Sequence, residues 1–128
     1  MKPKTIIALR IEPGKAPETV TLATDLDSLQ KAVSIGTDYQ GLIEILPFEG
    51  RIDLLCNEEG KLNGMEPNRR VGDDVLFGVF YVLASTPAGN FTSLNQKEIE
   101  KYTARFAQPE KFTQEELDAL VLTGFTAW

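Results

Sequence analysis

The chain has 128 residues, 42% of them hydrophobic and 25% charged, with a net charge of −6 and a pI near 4.7. That balance fits a single soluble globular domain and excludes a disordered or low-complexity chain. Thirteen basic side chains against nineteen acidic ones, with no basic stripe in view, argue against a protein that tracks nucleic-acid phosphates.

There is no histidine. This removes Ser-His-Asp and Cys-His catalysis and every histidine-containing metal site. The single cysteine, Cys56, rules out an internal disulfide, in keeping with a reducing compartment. The apolar stretch before Arg10 is too short for a signal peptide, and Val75–Ala84 is too short to cross a bilayer as a helix. A cytoplasmic protein, away from membranes and free of cofactors, is the expectation.

In chain order, Thr5 to Ile11 is rich in β-branched residues and reads as a strand. Pro13-Gly14 suits a tight turn, and Val20-Thr21-Leu22 begins a second strand. Thr24-Asp25 precedes a helical pattern in which Leu26, Leu29, Ala32 and Val33 share a face, with Gly36 placed to end it. Leu42 to Leu46 reads as a strand that Pro47 stops or confines to an edge. Ile52, Leu54 and Leu55 suggest another short strand.

The stretch "CNEEGKLNGMEPNRR" follows. Asn57 to Gly60 reads as a turn with Gly60 at positive φ, and Asn63-Gly64 is a second turn signal. Glu66-Pro67 bars regular helix. Residues 57–73 therefore read as a loop of about seventeen residues, a length that is usually functional or disordered. Leu62, Met65 and Val71 would pin it down. "VLFGVFYVLA" then reads as one central strand buried on both faces, with Gly78 marking a bulge or a close backbone approach. Asn95 to Glu98 is a capping box with Leu94 and Ile99 as its hydrophobic staple, and Thr113 to Glu116 repeats the device. Leu117, Leu120 and Val121 would face inward on the last helix, and the tail "FTAW" would fold back on the domain.

The expected fold is α+β: a mostly antiparallel sheet of about five strands, one helix between strands and two C-terminal helices. One domain spans 1–128, with a core over 1–107 and a helical extension over 108–128.

Function is expected in the charged loop. Lys61, Arg69 and Arg70 are the candidates for holding an anion, because guanidinium and ammonium groups pair with carboxylate and phosphate. Asn57, Asn68 and Glu59 are the candidates for hydrogen bonds to the same ligand, although Asn57 and Gly60 are first of all turn-makers. In an extended segment Arg69 and Arg70 cannot both face one ligand, so one of them is expected to pair with Glu58, Glu59 or Asp73. Cys56, with no histidine to activate it, is expected to be a buried, inert thiol. No metal site is required by the spacing of the carboxylates.

"IEPGKAPE", "LIEILP", "CNEEGKLNGMEPNRRV" and "GVFYVLA" with "FTSLNQKEIEKY" together resemble domain-of-unknown-function family 3846 over roughly residues 4 to 107. The segments Asn57 to Lys61 and Pro67 to Arg69 carry the resemblance most specifically. Its members are common in phages and bacterial mobile elements, so it implies such a setting and no particular activity. The resulting expectation is a non-enzymatic protein that binds a small anionic molecule, such as a nucleotide-type signal, or a host protein, and so counters a host defence. One alternative is a metal-assisted phosphate hydrolase using Glu58, Glu59 and Asp73 or Asp74. Another is an acidic DNA mimic. The oligomeric state is open, with a homodimer among the options.

Overall fold

The computed structural model describes residues 4–37, 40–60 and 64–119. Among the described residues the order is β1 (Thr5–Ile11), β2 (Glu18–Ala23), α1 (Leu26–Ala32), β3 (Ile43–Glu49), β4 (Ile52–Asn57), β5 (Pro67–Val71), β6 (Asp74–Phe77), β7 (Phe80–Ser85), β8 (Phe91–Thr92) and α2 (Gln96–Arg105). A third helix, α3, runs over 114–119. The main sheet has the order β2-β1-β7-β4-β3, with short β8 added to β7, and every pairing is antiparallel. The expected α+β class is the observed one.

Alternation along the strands sends side chains to two cores. Leu9, Ile11, Ile52, Leu54, Phe80 and Val82 face the layer made by α2. Ile6, Ala8, Leu22, Leu55, Tyr81 and Leu83 face α1. β7 is therefore apolar on both sides, as a strand covered by helices on both faces must be. Asp25 caps α1 by accepting from the Ser28 N–H, and Leu29 and Val33 bury its inner face. Leu26, expected on that face, points outward. The Asn95–Glu98 capping box closes in both directions, and Tyr102 and Phe106 anchor α2 against Phe80 and Phe48.

Three local expectations are corrected. "VLFGVFYVLA" is two strands: Gly78, at φ 79°, breaks it into β6 and β7, and a Cβ there would overlap the Met65 sulfur. Residues 57–73 contain a strand as well as turns. β5 and β6 form a hairpin whose two-residue loop is Gly72-Asp73, with Gly72 at φ 59°. Pro67 is tolerated because it is the first residue of its strand. Val71 and Leu76 from this hairpin enter the α2-side core. Gly60 does not take positive φ. Its small size is needed because a Cβ would strike the carbonyl oxygen of Phe77.

Pro47 does not end β3, which runs to Glu49 along the sheet edge. Leu62, Leu120, Val121 and the tail "FTAW" lie outside the described residues. No helix among the described residues is long and apolar enough to cross a membrane.

Candidate functional site

Four expected contact residues lie in the β4 end and in β5, and the fold uses them unequally. Asn57, at the end of β4, is buried. Its Nδ2 donates to the carbonyl oxygen of Val33, the C-cap of α1, and its Oδ1 accepts from the Glu59 N–H at 2.8 Å. The Gly60 N–H closes the turn on the Asn57 carbonyl at 3.3 Å. Gly41 has to be glycine because a Cβ would overlap the Asn57 amide.

Asn68 is 0% exposed. Its amide donates to the carbonyls of Ile11 and Gly78, both at 2.8 Å, and so ties β5 to β1 and to the break before β7.

Arg69 is 1% exposed, a cation in the interior. Its guanidinium donates to Phe106 O at 3.0 Å, to Lys15 O at 2.6 Å and to Asn68 Oδ1 at 2.8 Å. Phe106 is the C-cap of α2, so Arg69 satisfies a terminal helix carbonyl and places its charge at the negative end of the helix dipole. Burial lowers its pKa from the ordinary arginine value, and nearby Glu110 acts the other way. Charge-assisted bonds to several carbonyls offset the desolvation of the cation.

The polar groups of Asn57, Asn68 and Arg69 are thus engaged within the fold, mostly with backbone, and two of these residues bond the C-terminal carbonyls of α1 and α2, which speaks against the expected ligand roles.

Arg70 points the other way, as the next residue on a strand does. Its guanidinium pairs with Glu110 at 2.8 Å and with Glu116, and stacks over the Phe112 ring at 4.6 Å. Its backbone N–H donates to Glu110 at 2.9 Å. The pairing expected with Glu58, Glu59 or Asp73 is thus made with carboxylates beyond residue 107. Hydrogen bonding to Glu116 and then Glu110 raises the Arg70 pKa, and the same contact holds Glu116 below the ordinary glutamate range. Glu59 keeps its side chain exposed on the turn, and Lys61 lies outside the described residues.

The carboxylates proposed for metal chemistry are split. Gly60, closing the Glu58-Glu59 turn, packs against Phe77, while Asp73-Asp74 sits at the other end of β6. That strand separates them by roughly 10 Å at 3.3 Å per residue. Among the described residues no three acidic or thiol groups are gathered to hold a metal ion. Cys56 is buried, and its pKa is pushed up to about 12 by burial, with Glu44 adding to the shift.

A second surface carries a larger recess than the one of about 280 Å³ beside Arg70, Asp73 and Asp74. A groove of about 420 Å³ runs between the β3–β4 turn and the start of α2, lined by Glu49, Arg51, Lys97, Glu98, Lys101 and Tyr102 among others. Lys97, Lys101 and Arg105 follow at intervals of four along α2, so they form an exposed row on one face. Arg51 makes a two-point pair with Glu98 at 2.7 and 2.6 Å and also donates to Ser93 O. Lys101 pairs with Glu49 at 3.1 Å, and Tyr102 donates its hydroxyl to the same carboxylate at 2.6 Å. The Tyr102 and Lys101 hydrogen bonds hold Glu49 below its ordinary pKa. Lys97 has no ion pair among the described residues. The sequence signal for this row is the Lys97-Lys101-Arg105 spacing itself, in a helix whose start is marked by its capping box.

The fold and groove define a small α+β protein with a main antiparallel sheet covered on both faces, carrying a basic row beside an open groove. The chain belongs to the family described as Domain of unknown function (DUF3846), whose model matches residues 4–107. The Arg70 partners Glu110 and Glu116 lie beyond that match. No curated protein and no solved structure matches the chain.

Proposed function

We propose that the protein is a non-catalytic binding protein that takes a small phosphate- or carboxylate-bearing molecule in the groove beside α2. The observation that carries this reading is Lys97, without an ion pair among the described residues, in the lining of the groove with Arg51 and Lys101. Arg51 and Lys101 are already held by Glu98 and Glu49, so they are oriented before a ligand arrives. The groove's volume suits a small ligand. Lys97 lies in the first turn of α2, where the helix dipole also favours an anion. The chain has no histidine, and its one thiol is held protonated, which supports binding over catalysis.

In the phage or mobile-element setting that the family resemblance implies, such a ligand would be a nucleotide-type host signal, and sequestering it would blunt a defence. The basic row on α2 speaks against a DNA mimic. The separation of the two acidic pairs speaks against the metal-assisted hydrolase.

The test is native mass spectrometry of the intact protein purified from bacterial cells, with Lys97→Glu/Lys101→Glu alongside. A co-purifying anionic adduct on the wild type that is lost in the double variant is the expected result. No adduct, or one that persists in the folded double variant, would reject the groove as the site.

A further inference from the structure

The edge of the main sheet at β3, paired on one side only among the described residues, carries an inference that does not depend on the groove. The register pairs Ile43 with Asn57, Ile45 with Leu55 and Pro47 with Asp53. One step earlier, the Glu58 N–H donates to Leu42 O at 2.9 Å. Bonded and non-bonded positions alternate along an antiparallel strand. Leu42, Glu44 and Leu46 therefore bond to β4, while Ile43, Ile45 and Pro47 turn their backbone groups outward. Proline, lacking an N–H, occupies one of the outward positions, as it does on an edge strand. Among the described residues β3 pairs with β4 alone.

This edge is also apolar. Ile45 is 42% exposed and Leu42, just before the strand, 55%. The opposite edge, β2, has no exposed large hydrophobic residue. An uncovered strand edge with exposed apolar side chains is a template for another strand.

We propose that β3 pairs antiparallel with β3 of a second copy of this chain, about a two-fold axis at Ile45. The pattern is self-complementary, as a two-fold interface requires. Ile45 meets Ile45, and Ile43 meets Pro47 on the α1 face. Glu44 meets Leu46 on the other face, so in a chain of net charge −6 no carboxylate opposes a carboxylate across the paired residues. The Ile45 N–H of each copy donates to the Ile45 carbonyl of the other, and each Ile43 N–H donates to a Pro47 carbonyl. The missing proline N–H therefore leaves no donor unpaired. The product is one continuous sheet through both copies.

Sedimentation equilibrium over a concentration series tests this, together with Ile45→Lys, Ile45→Cys and, on the other edge, Thr21→Lys. The wild type and Thr21→Lys are expected to rise toward twice 14.2 kDa. Ile45→Lys, which sets a cation against itself, should stay monomeric with an unchanged circular dichroism spectrum. Ile45→Cys should cross-link to itself on mild oxidation, since bonded antiparallel partners lie about 5.5 Å apart at Cα, within disulfide range. A wild-type monomer throughout the series overturns the proposal. So does a dimer that folded Ile45→Lys leaves intact, or an edge that pairs with a foreign strand only. Should Ile45→Lys fail to fold, absence of the Ile45→Cys cross-link decides against it.

Discussion

Arg69 and Arg70 are neighbours on one strand and have opposite fates. Strand alternation sends Arg69 into the interior, where carbonyls from the β1–β2 turn and the end of α2 surround it. It sends Arg70 to the surface, where Glu110, Glu116 and Phe112 hold it. The lesson is that a basic pair in a charged stretch says little about a ligand until each residue's acceptors are found. A guanidinium has enough donors to be consumed by the fold.

The largest expected effect breaks the buried half of this pair. Arg69→Ala strips donors from the carbonyls of Phe106 and Lys15 and from Asn68 Oδ1. By urea unfolding the loss should be about 3–5 kcal/mol, the usual cost of leaving buried groups unpaired with a cavity beside them. A loss below about 1 kcal/mol would mean that water satisfies those carbonyls and that Arg69 is not a clamp.

A middle-sized effect concerns Cys56, on the α2-side core. With its pKa raised from 9.0 to about 12, only about one thiol in ten thousand is ionised at pH 8. Iodoacetamide should label it very slowly in the native protein and rapidly in urea. The sign for stability follows from linkage. The unfolded thiol ionises first, so stability falls as pH rises from about 9 toward 12. Tyr81 and Tyr102, both raised mainly by burial, act in the same direction as pH rises above the ordinary tyrosine range. Cys56→Ala should flatten the first part of that fall.

The smallest effect concerns the exposed half. Arg70→Ala should leave the unfolding midpoint nearly unchanged, because an exposed ion pair is screened by solvent. What should change is the segment around Glu110 to Glu116, which loses its pairs and its aromatic stack. Limited proteolysis should then cut between 107 and 119 sooner than in the wild type. Acid should mimic this: Glu116 is held low by Arg70, so the contact is complete above the ordinary glutamate range and fails as pH drops through the lowered value. Unaltered proteolysis would show that Phe112 and the backbone hold the segment without Arg70.

Much of the fold could be read from residue pattern. A β-branched run gave β1, the apolar Ile52, Leu54 and Leu55 gave β4, the Asn95–Glu98 box gave α2, and Pro47 gave the edge. The β5–β6 hairpin was missed, although Val71-Gly72-Asp73-Asp74 contains a two-residue turn signal. A charged strand with Arg69 buried has no apolar alternation to reveal it. "VLFGVFYVLA" misled in the opposite way: its unbroken apolar character hid a positive-φ glycine at Gly78 that splits it. The site was harder still. Burial of Asn68 and Arg69 depends on carbonyls of Ile11, Lys15 and Phe106, which are distant in sequence. The groove depends on the β3–β4 turn meeting α2. Only the four-residue spacing of Lys97, Lys101 and Arg105 was local enough to be seen.

The central proposal is that Asn57, Asn68 and Arg69 are committed to the fold while the α2 groove takes the anion. Amide chemical-shift mapping of the intact protein during an inorganic phosphate titration tests it most directly. The account predicts saturable shifts confined to Arg51, Lys97, Lys101 and their neighbours, with Asn57, Asn68 and Arg69 unmoved. Shifts centred on residues 57 to 70 with a silent groove would contradict it.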